Sequence, residues 1–260
     1  MNTYSGKKYI THFLKAQNAH GIHSPFVFDL YNKVIRQKKS SSEFQEIEQL
    51  RKELLHDNRE ITTCDLGSGS VVLPNPKRKI ADIAKHFSSP TKDARFFYNL
   101  CQYLQPKTIL ELGTSLGLTT SYLAKAAPEA RIVSLEGCPE TAKIARQNFK
   151  KANINNIEVV VGNIDMTLCS TFPRIGKIDL AYIDANHTYD ATLRYFNQLI
   201  DDCHNESCLI FDDIYQKEEM TAAWEEICNS NRAHVVLDLF NFGIVFPRLE
   251  QRKQYFRLRY

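Results

Sequence analysis

From residue 106 onward, short apolar runs alternate with longer segments whose apolar positions return every three or four residues. The runs TILEL (108–112), RIVSLE (131–136), IEVVVG (157–162), DLAYIDA (179–185) and CLIFDD (208–213) read as strands. The segments 117–126, 139–152, 188–202 and 216–229 read as helices. The strand runs do not alternate with polar residues, as expected of parallel strands covered on both faces. Strand–helix alternation of this kind predicts a doubly wound α/β sheet. The end of the chain differs: HVVLDLFN (234–241), FGIVFPRL (242–249) and QYFRLRY (254–260) are strand-like runs joined by short turns. Antiparallel pairing at one sheet edge is expected there.

Upstream, residues 1–60 carry mostly helical patterning, clearest in EFQEIEQLRKELLHD (43–57), where Phe44, Ile47, Leu50, Leu54 and Leu55 share a face. Residues 61–77 are rich in turn formers. Two helices follow, KIADIAKHF (79–87) and a stretch opened by Ser89-Pro90-Thr91 and running to about Leu104. The expected organisation is a helical N-terminal cap or substrate region at 1–105, followed by an α/β domain at 106–260.

The most informative stretch is TILELGTSLGLTTSYLA (108–124), in which a strand holding Glu111 runs into a glycine loop and then a helix. Glycines allow unusual dihedrals and close approach of the backbone to a ligand, and the helix start offers free N–H groups. No Gly-Lys-Ser/Thr follows, so this is not a phosphate loop. The spacing G-x-x-x-G is not the G-x-G-x-x-G of a dinucleotide site. An acid just before the first glycine suits the ammonium of an amino acid, which a dinucleotide lacks. Glu136 ends the next strand, where a carboxylate accepts hydrogen bonds from ribose hydroxyls. Gly162 and Asn163 end the third strand, where an amide meets an adenine edge. Asp65-Leu66-Gly67-Ser68-Gly69-Ser70 imitates the motif, but Pro74-Asn75-Pro76 follows it instead of a helix, so it reads as a structural turn or a substrate-lid loop.

Taken together, E-x-G-x-x-x-G-x-[ST] over Glu111–Thr119, with an acid closing the second strand, resembles the class I S-adenosylmethionine (SAM)-dependent methyltransferases, over roughly 106–215. Thr114 in the loop is similar to the O-methyltransferases of the catechol and caffeoyl-CoA type, and HGIHSPFV (His20–Val27) resembles a bacterial group of such enzymes. The resemblance implies a Rossmann-like, seven-stranded, mostly parallel sheet with antiparallel C-terminal strands. It implies SAM as cofactor, bound through Glu111, Gly113, Thr114, Ser115, Gly117, Thr119, Glu136, Gly162, Asn163 and Asp184. Asn163 stands where an aspartate is common.

Acids also close the fourth and fifth strands, in Tyr182-Ile183-Asp184-Ala185-Asn186-His187 and Ile210-Phe211-Asp212-Asp213. Parallel strands present their C-terminal ends on one edge, where ligands bind. Clustered carboxylates repel, and a divalent cation with oxygen ligands, Mg²⁺, would relieve them. The metal-dependent O-methyltransferases use a related pattern with Asp-Asn in place of Asp212-Asp213, so the match implies Asp184, Asp212 and Asp213 as metal ligands. The competing reading gives Asp184 to cofactor or substrate and makes Asp212 or Asp213 a helix cap. Asp184 and His187 are the catalytic candidates, with the imidazole taking a hydroxyl proton. His187 as an orienting residue of its loop is the alternative.

The bulk numbers narrow the class. Apolar residues make up 43% and charged residues 24%, ordinary for a globular protein, and no stretch reaches about 18 apolar residues, so no membrane span is expected. No signal peptide is read at the start. Seven scattered cysteines without a C-x-x-C pair read as buried free thiols of a cytoplasmic protein. A net charge of +3 makes no case for nucleic acid. Two basic clusters (Lys77, Arg78, Lys79, Lys85 and Arg248, Arg252, Lys253, Arg257, Arg259) read as solvated faces, with an RNA or protein methyltransferase as the alternative. The expected partner is a small hydroxylated molecule, and the sequence leaves the oligomeric state open.

Overall fold

The computed structural model describes residues 3–37, 44–64 and 75–260. The Asp65–Ser70 motif lies outside the described residues. The chain divides into two compact units, Met1–Ile35 with Gly176–Tyr260, and Arg36–Ile175. The N-terminal 105 residues are therefore shared between the units.

Along the chain the first unit begins with α1 (Thr3–Lys15) and α2 (Pro25–Leu30), the latter running on as a π-turn over Tyr31–Ile35. The second unit holds α3 (Gln45–Leu55), β1 (Glu60–Thr62), β2 (Lys77–Lys79), α4 (Ile80–His86), α5 (Thr91–Leu104), β3 (Thr108–Leu112), α6 (Leu118–Ala126), β4 (Arg131–Glu136), α7 (Pro139–Lys151), β5 (Ile157–Val161) and α8 (Ile164–Ile175). The first unit resumes with β6 (Ile178–Ile183), α9 (Tyr189–Asp201), β7 (Cys203–Asp212), α10 (Glu218–Asn229), β8 (Val235–Asp238), β9 (Phe242–Phe246) and β10 (Gln254–Arg257).

In the second unit β3, β4 and β5 pair in parallel, with Glu111 beside Ser134 and Glu136 beside Val161. Ile109, Leu110, Leu112, Ile132, Leu135, Leu123 and Phe149 form its core. Each such side chain contributes about 1.5–3 kcal/mol by leaving water. A separate antiparallel ribbon joins β1 and β2. That ribbon was not foreseen in the turn-rich segment, and neither was α8. Helix α8 contains Thr167, Ser170, Thr171 and, in its last turn, Pro173, all poor helix formers.

In the first unit the strands run β10-β8-β9-β7-β6. Pairs β7–β9 and β8–β9 are antiparallel, as expected of the C-terminal strands. The last strand departs from that expectation: β10 lies parallel to β8, Gln254 beside Val235. Residues 247–253 instead carry the chain past β8 at one end of the sheet, from Phe246 on one side of Val235 to Gln254 on the other, so β9 and β10 are not neighbours. Among the described residues the strands of the larger sheet number eight, one more than the seven expected. The outer edge of β10 is not bare, because Gln17 accepts from the Arg259 amide (2.9 Å) and donates to the Arg257 carbonyl (2.7 Å). Trp224 of α10 is fully buried and lies on Gly243 of β9, where an added Cβ would come within 2.2 Å of the indole.

Among the described residues no helix is long and apolar enough to cross a membrane. The thiols are less uniformly buried than expected: Cys101, Cys138 and Cys208 are buried, but Cys64 and Cys169 are exposed.

Candidate active site

In the second unit the loop after β3 alternates three left-handed residues, Gly113 (φ 96°), Ser115 (φ 49°) and Gly117 (φ 76°). Gly117 precedes α6, and a Cβ there would strike the Phe149 ring at 2.5 Å, so both its φ and its packing demand glycine. Ser115 has no such freedom and is held by its neighbour: its amide donates to Glu136 Oε2 (2.7 Å). The Cys138 amide donates to Oε1 of the same carboxylate (2.8 Å). Burial pushes the Glu136 pKa up, and these amide hydrogen bonds oppose it. The Thr141 hydroxyl and the Thr114 amide also act on this carboxylate, favouring its ionised form. Four of the eight non-glycine residues with positive φ among those described (Ser115, Asn186, His187 and Asp213) lie in the predicted site loops, where such strain collects.

Other predicted cofactor residues take different places. Glu111 is fully buried, and its Oε2 accepts from Thr120 (2.5 Å) and from the Ser134 hydroxyl. Because Ser134 gives its proton to Glu111, it must accept from Thr114, whose hydroxyl lies beside it. Thr114, Ser134, Glu111 and Thr120 thus form a buried chain that braces the glycine loop from below. The Glu111 carboxyl has no exposed surface and takes part in that chain through Oε2. Thr119 shares a hydrogen bond with Ser89 (3.0 Å). Asn163 is exposed, and its side chain accepts the Asp165 amide (2.9 Å), starting α8. Gly162 (φ 146°) donates its amide to the Glu136 carbonyl (2.9 Å). A surface hollow of about 420 Å³, lined by Pro128, Arg131, Asn156 and Glu158, lies at the N-terminal ends of β4 and β5, away from Glu136.

In the first unit the acids meet through the register of β6 and β7. Ile178 pairs with Cys203, but Leu180 pairs with Cys208, so a bulge in β7 advances the pairing. His204 and Ser207 hold the bulge through Asp179 (2.7 Å) and the Ile178 carbonyl (2.5 Å). The shifted register pairs Tyr182 with Ile210 and Ile183 with Phe211, and so sets Asp184 beside Asp212. The Tyr182 hydroxyl donates to Asp212 Oδ2 (2.6 Å) and lies 3.4 Å from Asp184 Oδ2. Tyr182 was missed as a site residue. Its signal is the two-residue spacing to Asp184, which puts both on one strand face.

After Asp184 the chain turns within three residues, the His187 amide donating to the Ala185 carbonyl (2.8 Å) across left-handed Asn186 (φ 67°). Thr188 then caps α9. The turn folds His187 back so that its Nε2 lies 3.2 Å from Asp184 Oδ1. Burial lowers the His187 pKa, but the hydrogen bond and charge of Asp184, with the charges of Asp213 and Asp212, raise it to about 9. The imidazole is therefore cationic at neutral pH. Asp212 behaves oppositely: burial and the charges of Asp184 and Asp213 raise its pKa well above the usual carboxylate range, against the Tyr182 hydrogen bond and the His187 charge. Asp213 (φ 56°) accepts from Gln216 Nε2 (2.7 Å). Among the described residues no group of three or more His, Cys, Asp or Glu side chains is placed to hold a metal ion. Asp184 and Asp212 are brought together, and Asp213 acts on them by charge.

The His20–Phe26 segment builds a helix start. Ser24 accepts the Val27 amide, and Pro25 occupies the first turn of α2. Phe26 packs edge-on against Phe246 and under the Arg248 guanidinium (3.7 Å). Arg257 binds Asp238, and Arg259 lies over Phe13. Lys253 donates to the Ser230 carbonyl (2.8 Å), so four of the five C-terminal basic residues make contacts within the chain.

A parallel α/β core with a left-handed glycine loop beside a strand-end carboxylate defines a Rossmann-like fold. The comparisons agree: residues 110–214 match a family described as "Methyltransferase domain". A catechol O-methyltransferase of Mycobacterium tuberculosis is 36% identical over 99 residues, 36% of this chain and 43% of that protein. The O-methyltransferase imqG of Aspergillus flavus is 31% identical over 144 residues, 53% of this chain and 56% of that protein. The chain spans about half the length of the curated relatives it matches. Among solved structures, an S-adenosylhomocysteine (SAH)-bound methyltransferase of Podospora anserina superposes with a TM-score of 0.60 at 16% identity, over 87% of this chain and 98% of that one. A Bacillus cereus O-methyltransferase with SAH gives 0.57 at 21%, over 85% and 97%. These likenesses establish the fold.

Proposed function

We propose that this chain is a SAM-dependent methyltransferase that methylates a hydroxyl of a small molecule with the help of Mg²⁺. The observation that carries the cofactor reading is the grip on Glu136. A strained loop delivers the Ser115 amide to a strand-end carboxylate, which is thereby held at the strand end where a carboxylate accepts from ribose hydroxyls. Gly113, Thr114 and Gly117 shape the loop, Thr119 opens α6, and Gly162 and Asn163 flank the adenine. The relatives named as O-methyltransferases support the reaction class.

Acceptor chemistry falls to Asp184, His187, Asp212 and Asp213. The chemistry of the donors suits a hard cation, since oxygens whose like charges oppose ionisation of Asp212 are what a divalent ion relieves, and binding would have to draw the three together from their present places. Asp184, Asp212 and Asp213 would hold it, and it would lower the pKa of the acceptor hydroxyl. His187, held as the imidazolium, orients Asp184 and becomes a proton acceptor once it is itself deprotonated.

The test is calorimetric titration of SAH into the full chain, beside Glu136→Ala, followed by methyl transfer to a catechol with and without Mg²⁺. Binding that weakens by about 1–3 kcal/mol in the variant supports the cradle. Equal affinity in both proteins would show that Glu136 does not meet the ribose. Turnover that climbs as pH rises through about 9, with the climb lost in His187→Asn, supports the imidazole as base.

A further inference from the structure

Two thiols of the second unit meet beside the Glu136 carboxylate, and the reaction proposed above uses neither. Cys64 follows the ribbon strand β1 and is exposed. Cys138 precedes α7 and is buried. The Cys64 amide donates to Cys138 Sγ (3.3 Å), and that sulfur lies 3.8 Å from the Thr62 carbonyl. The thiols are themselves within hydrogen-bonding reach, and Cys138 raises the Cys64 pKa by its charge. One member of the pair is open to solvent and the other is screened from it. That is the usual division between a thiol that meets an oxidant and one that resolves the product.

The position of Cys138 gives the pair a consequence. Its amide is one of the two that grip Glu136 (2.8 Å). Its carbonyl accepts from Thr141 Oγ (2.9 Å) and from the Ala142 amide (3.0 Å), at the first turn of α7. A disulfide requires the sulfurs about 2.05 Å apart with a fixed dihedral, closer than any hydrogen-bonded pair. Closing it pulls the residue that aims Glu136 toward the ribbon.

We propose that Cys64 and Cys138 form a reversible disulfide that weakens the cofactor cradle at Glu136, so that the affinity for cofactor follows the surrounding redox state. The oxidant is a peroxide. The Cys64 thiolate attacks one peroxide oxygen, breaking the O–O bond and giving a sulfenic acid and hydroxide. Cys138 then loses its proton and attacks the Cys64 sulfur, forming the S–S bond and expelling the sulfenic oxygen as hydroxide. The two protons released by the thiols convert both hydroxides to water. Two thiols are oxidised by two electrons and one peroxide is reduced to two waters. A dithiol reverses the bond by exchange. The consequence for the cradle rests on the cofactor reading above, whereas the bond itself does not.

The test uses the full chain, first fully reduced and then exposed to hydrogen peroxide at neutral pH. Peptide mapping without reductant should recover a Cys64–Cys138 linked pair that disappears with dithiothreitol. SAH affinity should fall about tenfold on oxidation, the loss of one charge-assisted hydrogen bond, and return on reduction. Cys64→Ser should bind SAH like the reduced chain and ignore peroxide. Oxidation that stops at Cys64, or links it to Cys169, would overturn the pair. A Cys64–Cys138 bond with unchanged SAH affinity would overturn the switch. A reduced chain that binds no SAH would defeat the cofactor reading and with it the effect on the cradle, while the peptide map still decides the bond.

Discussion

Two aspartates close strands of the first unit that flank β9, and they are treated in opposite ways. Asp238 ends β8 with no exposed surface, yet it is surrounded by donors. His12 Nε2 lies 3.0 Å from Oδ1, Tyr215 (2.6 Å), Tyr255 and Arg257 Nε (3.1 Å) donate to Oδ2, and the Phe240 amide reaches Oδ1 (3.2 Å). Burial alone would raise its pKa, but these hydrogen bonds and the charge of His12 hold it at about 2. Asp212 ends β7 and keeps some solvent access, but the like charges of Asp184 and Asp213 outweigh the Tyr182 hydroxyl, the Asp213 amide (3.1 Å) and the His187 charge. Burial and like charge push it far up. A buried carboxylate given donors is structural: it fastens α1, through His12, to the C-terminal strands. A carboxylate crowded by others is held in a form that a ligand can change, as expected of a functional site.

The largest effect that would break this contrast is truncation of the structural acid. Asp238→Ala leaves the buried His12 and Tyr215, with the half-buried Arg257 and the Tyr255 hydroxyl, around an empty anion site. Removing one partner of a buried ion pair costs about 3–5 kcal/mol. Urea denaturation should show a loss of that order, while Asp212→Asn should cost little, because it relieves like-charge repulsion. Equal losses at both positions would mean that Asp212 is as structural as Asp238.

The two sites also differ in how far the sequence exposed them. Asp184, Asp212 and Asp213 were legible because acids at the ends of apolar runs stand at the C-terminal edge of parallel strands, and Glu136 was legible for the same reason. The bracing of Glu111 was not, because it depends on the register that places Ser134 beside it, and alternation along a strand does not carry register. The partnership of Tyr182 with Asp212 depends likewise on a bulge between Cys203 and Cys208 that leaves no local signature. Asp238 looked like an ordinary polar position in a strand. Its partner His12 is 226 residues away, and Tyr255 arrives on a strand whose parallel direction the short connection did not suggest.

A smaller effect comes from single hydroxyls. Tyr215→Phe removes a donor to an ionised carboxylate, worth about 1.5–3 kcal/mol, whereas Tyr182→Phe removes a donor to a carboxyl whose ionisation its neighbours oppose, worth about 0.5–1.5 kcal/mol. Thermal melts of the two variants should rank them in that order. If Tyr182→Phe is the more damaging, its hydroxyl carries more of the acid pair's repulsion than the contrast allows.

The subtlest test is the sign of a slope. The folded pKa of Asp238 lies below its ordinary 3.8, so its contribution is whole above 3.8 and is lost as pH falls through about 2. The folded pKa of Asp212 lies above 3.8, so the fold favours its neutral form: the contribution is whole below 3.8 and is lost as pH rises toward the folded pKa. Asparagine mimics the neutral acid at either place. Relative to the unaltered chain, Asp238→Asn should therefore lose stability as pH rises from about 2 through 3.8. Asp212→Asn should gain it as pH rises from 3.8 toward neutrality. Stability measured by urea midpoint across this range gives two difference curves that must slope in opposite directions. Parallel curves would mean that the crowding of Asp184, Asp212 and Asp213 is relieved in solution, and that Asp212 is not held protonated by its neighbours.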